Sequence, residues 1–431
     1  MHRISKVKIE GFWTDKTVEL KFKNDVNFLI GVNGSGKTTI INLIAATLNA
    51  DFATLDRFQF KKIRVDLEPA IVDKIKKTAF IEVEKMEKNA SPYPNIIFKI
   101  KRYTDKESKK FLLDELEEEH MLRYPNEYLI NRRHSRSGQF ERDLNIALQE
   151  LVNVTWLSIH RANSYAKRRE ERSFESTIDQ KIEELQIELI KYFSQLNRRY
   201  SIETEAFQKF IFESLLDTES QVDTFEFVKT LDAEREKKAL KEIFLLFRLN
   251  ENAINKKLES HFKGFSNSIN KLNNNQEFYI PDLSFLLGTM RIHSVVQEWT
   301  ELVKKQKKIN EPKDIFLKVI NNLLQKKELI ISERNELVVK TQSGKLFSLT
   351  NLSSGEKQLL IILGQGLLKD TKTHIYIADE PELSLHVEWQ EKLVSSLKSI
   401  NHNSQIIFAT HSPDIVGEFT SSVIKVEEAI Q

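Results

Sequence analysis

The amino-acid sequence predicts an α/β fold, a mixed sheet flanked by helices and divided by an inserted helical, coiled-coil-like domain. Three observations carry that expectation. Strand-like runs fill both ends of the chain, apolar residues at heptad spacing fill its middle, and a glycine-rich turn joins an early apolar run to a segment of helical spacing. With 431 residues the chain has room for two or three domains, or for one large core carrying an insertion. Hydrophobic residues make up 40% and charged residues 30%, enough apolar surface to offset chain entropy and exclude a disordered protein. Lys and Arg total 65 against 63 Asp and Glu, a balance that neither requires nor excludes nucleic acid.

At the start of the chain, Ile4, Val7 and Ile9 lead to Gly11. Val18-Glu19-Leu20-Lys21-Phe22 then alternates with period two, and Val26-Asn27-Phe28-Leu29-Ile30 enters the glycine-rich turn. All three read as strands, and Ile40, Ile41, Leu43 and Ile44 beyond the turn read as a helix. Further strands are expected at Ala79 to Val83, Asn95 to Ile100 and Val154 to Ile159. From about Ser173 the texture changes: Ile178, Ile182, Leu185, Leu189, Tyr192 and Leu196 form an a/d seam. It lasts only about three heptads, which suggests a helical hairpin or bundle, or helices that simply pack into a core. Helical sequence continues to roughly Gln325 with a polar break at Asn273-Asn274-Asn275. Strands return at Glu328 to Ile331 and Leu337 to Val339 around an Arg334-Asn335 turn, and the last ninety or so residues alternate helix and strand. The expected domains are residues 1–170, a helical insertion at 171–327, and 328–431.

The absence of cysteine excludes disulfide frameworks, thiolate zinc sites and thiol catalysis, and fits a reducing cytoplasm. Met1-His2-Arg3-Ile4-Ser5-Lys6 is too polar for a secretion signal, and the longest apolar stretch, Leu359 to Leu368, is broken by Gln365. A cytoplasmic protein without a membrane span is expected.

Four segments carry chemistry. Gly31-Val32-Asn33-Gly34-Ser35-Gly36-Lys37-Thr38 has the spacing of a phosphate loop, between an expected strand and an expected helix as that motif requires. Gly31, Asn33, Gly34, Ser35 and Gly36 let backbone N–H groups turn toward phosphate oxygens at a helix N-terminus. Lys37 suits the β- and γ-phosphates of ATP, the Thr38 hydroxyl suits Mg²⁺, and Thr39 adjoins them. His374-Ile375-Tyr376-Ile377-Ala378-Asp379-Glu380-Pro381 is an apolar strand ending in two carboxylates: Asp379 for the metal, Glu380 as general base for water. Leu352-Ser353-Ser354-Gly355-Glu356-Lys357-Gln358 opens a helix with a capping box from Ser353 to Glu356. Ile406-Ile407-Phe408-Ala409-Thr410-His411-Ser412-Pro413 is a buried strand that delivers His411 to a loop.

In this order and spacing the four segments resemble the RecF/SMC-like branch of the ABC ATPases, over about the first 165 and last 90 residues. The resemblance implies an ABC-type P-loop ATPase head. Leu352 to Gln358 would be the signature motif, with Ser353 and Gly355 capping the γ-phosphate of ATP held by an opposite protomer. It further implies that His411 is the switch histidine and that Leu383-Ser384-Leu385-His386 is the D-loop. This sequence departs from the family pattern at Ser354, Glu356 and His386, and the Q-loop falls only loosely near His160-Arg161. Lys37 and Ser353 lie 316 positions apart, so the insertion sits where armed family members carry theirs.

The form Glu380-Pro381-Glu382-Leu383-Ser384-Leu385-His386 is similar to the ATPases of bacterial anti-phage systems of the Septu, PARIS and overcoming-lysogenization-defect types. That resemblance implies a sensor or scaffold ATPase, assembled as a homodimer or higher homo-oligomer by head-to-tail ATPase heads. Only 20 residues follow His411, so the resemblance implies that an HNH or TOPRIM nuclease effector is a separate polypeptide. The alternative is a DNA-repair or chromosome-maintenance ATPase that clamps DNA. Its support is the basic clusters Arg132-Arg133-His134-Ser135-Arg136, Lys167-Arg168-Arg169 and Lys304-Lys305-Gln306-Lys307-Lys308. Ordinary solvated faces explain these clusters as well, since Asp114 to Glu119 is an equally dense acidic run. A transport ATPase serving a separate permease fits neither the 316-position gap nor the signature departures.

Overall fold

The computed structural model describes residues 1–70, 79–86, 95–105, 107–112, 137–157, 177–214, 231–246, 250–369 and 373–431. The regions of His160-Arg161, of the 132–136 and 167–169 basic clusters, and of the 114–119 acidic run lie outside them. Two compact units emerge, one formed by Met1–Ile190 with Lys313–Gln431, the other by Lys191–Pro312.

The first unit begins with β1 (His2–Phe12), β2 (Lys16–Lys21) and β3 (Val26–Ile30), followed by α1 (Lys37–Asn49) and α2 (Phe52–Arg57). Next come β4 (Lys62–Pro69), β5 (Ala79–Met86), β6 (Asn95–Lys101), β7 (Lys109–Leu112), α3 (Ser137–Leu151) and β8 (Val154–Trp156). The middle of the chain supplies α4 (Thr177–Ser214), α5 (Ala233–Leu246), α6 (Glu251–Asn273) and α7 (Ile280–Leu323). The return holds β9 (Lys327–Ile331), β10 (Leu337–Thr341), β11 (Leu346–Phe347), α8 (Ser354–Leu367), β12 (His374–Asp379) and α9 (Val387–Ile400). It closes with β13 (Ser404–Ala409), α10 (Pro413–Val416), β14 (Val423–Lys425) and α11 (Val426–Ala429).

The α/β expectation holds, with the strand directions sorted into separate sheets. An antiparallel sheet runs β2-β1-β4-β5-β6-β7, and a parallel sheet runs β14-β3-β13-β12-β8. A small antiparallel sheet, β11-β10-β9, precedes α8. The successive strands β1–β2, β4–β5, β5–β6 and β6–β7 pair antiparallel, β4 also pairs antiparallel with the distant β1, and the pairs of the other sheet, whose strands are separated by helices, run parallel. Helix α1 packs against β5 of one sheet and β8, β12 and β13 of the other, which is why it is buried from Ile40 to Leu48 almost without a solvent face. One apolar cluster joins both sheets, from Ile4, Val7 and Ile63 through Ile41 and Ile44 to Ile375 and Ile407. Strand β13 is buried along its whole length between β3 and β12, as its unbroken apolar run predicts.

Expected strands return as β1, β2, β3, β5, β6, β8, β9 and β10, and Asn335 takes a left-handed φ of 62° in the β9–β10 turn. Helix α6 ends at the asparagine triplet, where Asn274 caps it and Asn275 has φ 50°. The buried seam of α4 is Ile182, Leu185, Leu189, Phe193 and Leu196, with Tyr192 only half-buried. The apolar stripe drifts by one residue because a straight helix repeats every 3.6 residues rather than every 3.5.

In the second unit, Phe207, Leu240, Ile243, Leu258, Phe262, Phe265, Leu286, Val296 and Trp299 form the core. Its buried Glu236 carboxylate meets His293 Nδ1 at 2.6 Å. Asp282 is held by Ser268, by Lys271 and by the backbone N–H of Tyr279. Pro312, at the edge of this unit, lies inside α7.

Candidate functional site

Three neighbouring parallel strands end at one edge, in the order β3, β13, β12. Their registers align Leu29 with Ala409 and Ala409 with Asp379, so the segments after them emerge side by side. Clefts beyond the carboxyl ends of parallel strands are where such sheets bind ligands.

Residues 31–38 leave β3 as a tight turn. Gly34 and Gly36 have φ of 84° and 93°, a conformation that a Cβ would strain. A Cβ on Gly36 would also stand 2.9 Å from the Phe12 ring and 3.1 Å from Trp13. The turn opens directly into α1, whose first residue is Lys37. Lys37 is 5% exposed and donates to the carbonyls of Gly31, at 2.7 Å, and Val32, at 3.0 Å. Burial lowers the Lys37 pKa, while the carboxylates of Glu427, Glu380 and Asp379 oppose that shift. Asn33 and Gly34 are exposed, and Thr38 and Thr39 half-buried. The buried Ser35 hydroxyl has no hydrogen-bond partner. A glycine cradle with positive φ, a helix N-terminus, an ammonium and an unpartnered hydroxyl together fit a polyphosphate.

The Thr38 hydroxyl donates to Asp379 Oδ1 at 3.2 Å. These are two hard oxygen ligands without a surrounding cage, a set suited to Mg²⁺ held jointly with phosphate oxygens. Glu380 follows β12 with φ 49°, a left-handed backbone unusual for a non-glycine residue. That conformation is held by its N–H, which donates to the carbonyl of Ala409 at 2.8 Å. Its carboxylate lies 3.8 Å from His411 Nε2. The structure therefore brings Lys37, Thr38, Asp379, Glu380 and His411 to one edge of one sheet.

Ser353 and Gly355 belong to a second surface. Ser353 is the N-cap of α8, and the capping box is complete: Ser353 Oγ accepts from Glu356 N–H at 3.4 Å, and Glu356 accepts from Ser353 N–H at 2.8 Å. Burial would raise the Glu356 pKa, but the Lys327 ammonium at 2.9 Å and the Ser353 donors outweigh it and hold the carboxyl below its usual range. Glu356 is thus the structural centre of the segment rather than a nucleotide ligand. A Cβ on Gly355 would lie 2.5 Å from the carbonyl oxygen of Ser384, which itself has φ 71°. Gln358 donates to the carbonyl of Pro381 at 2.8 Å, so α8 clamps residues 381–384. Ser353 is exposed, and among the described residues the hydrogen bonds of this segment go to its own neighbours, not to loop 31–38.

Three residues escaped the sequence reading. Glu382 is 8% exposed, and its Oε1 accepts from the Thr410 hydroxyl at 2.5 Å and the His411 N–H at 3.1 Å. One carboxylate thus ties the His411 loop to the turn that carries Glu380. Trp13, at the β1–β2 turn, is 42% exposed and stacks on Phe12 beside Gly36. Glu427, on α11, accepts from the Val32 N–H at 2.6 Å. Only Glu382, inside a motif already singled out, carried a sequence signal.

Within the 304–308 basic cluster, Lys304 pairs with Glu301 and Lys305 with Glu203, which weakens its claim on DNA phosphates. No helix of the described residues is long and apolar enough to cross a membrane.

A family model described as an AAA ATPase domain matches residues 3–416. The chain is 28% identical over 196 residues to a retron Vc95 probable ATPase from Vibrio cholerae serotype O1 biovar El Tor, covering 39% of this chain and 37% of the relative. It is 30% identical over 99 residues to the Septu protein PtuA of Bacillus thuringiensis, covering 20% of this chain and 24% of that protein. The matched stretches therefore span less than half the length of either relative. Among solved structures, the Pyrococcus furiosus Smc head domain with an extended coiled coil aligns with 96% of this chain and 91% of its own, at 14% identity and a TM-score of 0.42.

Proposed function

We propose, for a chain that belongs to the AAA ATPase domain family, that it hydrolyses ATP, that two copies share each ATP and that the ATPase serves an anti-phage complex with a separate nuclease effector. The defence assignment rests on the similarity to a retron ATPase and a Septu protein. The effector would be of the HNH or TOPRIM class, the site of action cytoplasmic, and the nucleotide state of the ATPase would restrain or release the effector.

The observation that carries the shared site is the separation of two surfaces. Loop 31–38, Asp379, Glu380 and His411 gather at one sheet edge, while the exposed Ser353 is bonded only within its own segment. On this reading, backbone N–H groups of Asn33 to Thr39 and the Lys37 ammonium hold the phosphates, and Trp13 offers an exposed ring for the base. When bound, Mg²⁺ would neutralise charge on the phosphate oxygens from beside Thr38 and Asp379. Glu380 accepts the proton of the attacking water, and His411, 3.8 Å from it, faces the same side. Glu382 keeps His411 in place through the backbone. Ser353 and Gly355 of the second copy complete the γ-phosphate cage.

Mixing two inactive variants tests the sharing. Lys37→Ala removes the phosphate cation and Ser353→Arg blocks the capping surface, so each alone should lose turnover. A mixed dimer contains one wholly intact site, and phosphate release should return on mixing. No recovery at any ratio would refute a site built from two copies.

A further inference from the structure

The strand β14 that lies beside β3 leads into a short segment with an unassigned acid. β14 pairs with β3 in parallel register, Ile424 to Leu29 and Lys425 to Ile30, directly beneath the start of the phosphate loop. The following residues are fixed: Val426 is fully buried, Ala429 is 8% exposed, and Thr17 and Gln431 exchange backbone hydrogen bonds of 2.9 and 2.8 Å. Glu428 bonds to Lys425 at 2.9 Å, whereas Glu427 turns to the loop.

Glu427 Oε1 accepts from Val32 N–H at 2.6 Å, and a Cβ on Gly31 would approach its two oxygens to 2.6 and 2.9 Å. The carboxylate therefore lies flat against the first turn of the loop, and Gly31 is the residue that leaves space for it. Lys37 donates to the carbonyl of Gly31, which shares a peptide unit with the Val32 N–H, so carboxylate and ammonium are linked through one peptide unit. Of the three acids whose charge acts on Lys37, Glu427 acts most strongly, ahead of Glu380 and Asp379.

We infer that Glu427 is a counter-anion built into the phosphate loop, which holds Lys37 against the carbonyls of residues 31 and 32 and lowers the loop's affinity for nucleotide phosphates. The inference rests on reading residues 31–38 as the phosphate cradle. For Lys37 to reach a phosphate it must leave those carbonyls and the field of Glu427, so affinity is set by the difference between two anions rather than by the loop alone. A nucleotide site tuned in this way releases phosphate-bearing product more readily than the bare loop would.

The test is titration of the intact chain with ATP, ADP and adenosine in EDTA, comparing the unmodified protein with Glu427→Gln. Glutamine can still accept the Val32 N–H, so only the charge is removed. ATP should bind roughly twofold to fivefold more tightly, the range of an exposed ion pair. The gain should be smaller for ADP, absent for adenosine, and should shrink as salt is raised. Unchanged or weaker ATP binding by Glu427→Gln at low salt, with an unaltered melting temperature, would overturn the inference. So would a change confined to Glu427→Ala, which would mark Glu427 as an anchor and nothing more. Failure of the underlying reading looks different: Lys37→Ala would then bind ATP as well as the unmodified protein.

Discussion

The strand edge proposed for hydrolysis and the helix start proposed for capping, the hydrolytic edge and the capping surface of the proposal, are built by opposite means. At the hydrolytic edge, residues as far apart as Thr38 and Asp379, or Glu380 and His411, meet because three parallel strands end together. At the capping surface Ser353 bonds to Glu356, three residues on, while Lys327 from β9 and the backbone of Ser384 against Gly355 close the segment from outside. The lesson is that sheet register can gather polar side chains from distant sequence, whereas a capped helix start orders its first turn through its own residues.

The largest effect should come from Glu380→Gln. It leaves the loop and Thr38–Asp379 intact but removes the proton acceptor, so turnover should fall by about 100-fold or more while nucleotide binding persists. Steady-state phosphate release beside a binding titration checks this, and equal turnover in variant and parent would break the assignment of the hydrolytic edge. A smaller effect is expected at the other surface. Gly355→Ala must push against the Ser384 carbonyl, and such overpacking costs about 1–3 kcal/mol. Turnover should drop roughly tenfold with ATP binding by the single chain unchanged. A variant weakened in ATP binding as well would show that the two surfaces are not separable.

The smallest effect lies away from both. His374 starts the strand that Asp379 ends, and burial pushes its pKa from 6.5 down to about 3. The folded state therefore holds it neutral while the unfolded chain takes up a proton below pH 6.5. Stability is fully present above that pH and falls as pH drops toward 3, by about 2 kcal/mol at pH 5. Melting temperature measured from pH 7.5 to 5 should decline, and His374→Gln should flatten the decline. An identical slope in that variant would assign the loss to other groups.

The strands flanking the motifs, the capping box and the asparagine break were all legible, because each is fixed by residues a few positions apart. Strand β4 escaped notice although Ile63, Val65 and Leu67 alternate with charged residues, and its place between the distant β1 and the following β5 is fixed by pairing on both sides. Likewise, nothing local marks Glu427 as a neighbour of Val32, 395 positions earlier. Period, glycine placement and motif order thus determined by themselves that this chain carries a glycine-rich turn of phosphate-loop spacing, an acid-tipped strand and a capped helix. Only the tertiary structure decided which of them meet. Strand adjacency and register arise from burying two sheets against α1, and that packing depends on contacts too long-range for any local pattern to encode.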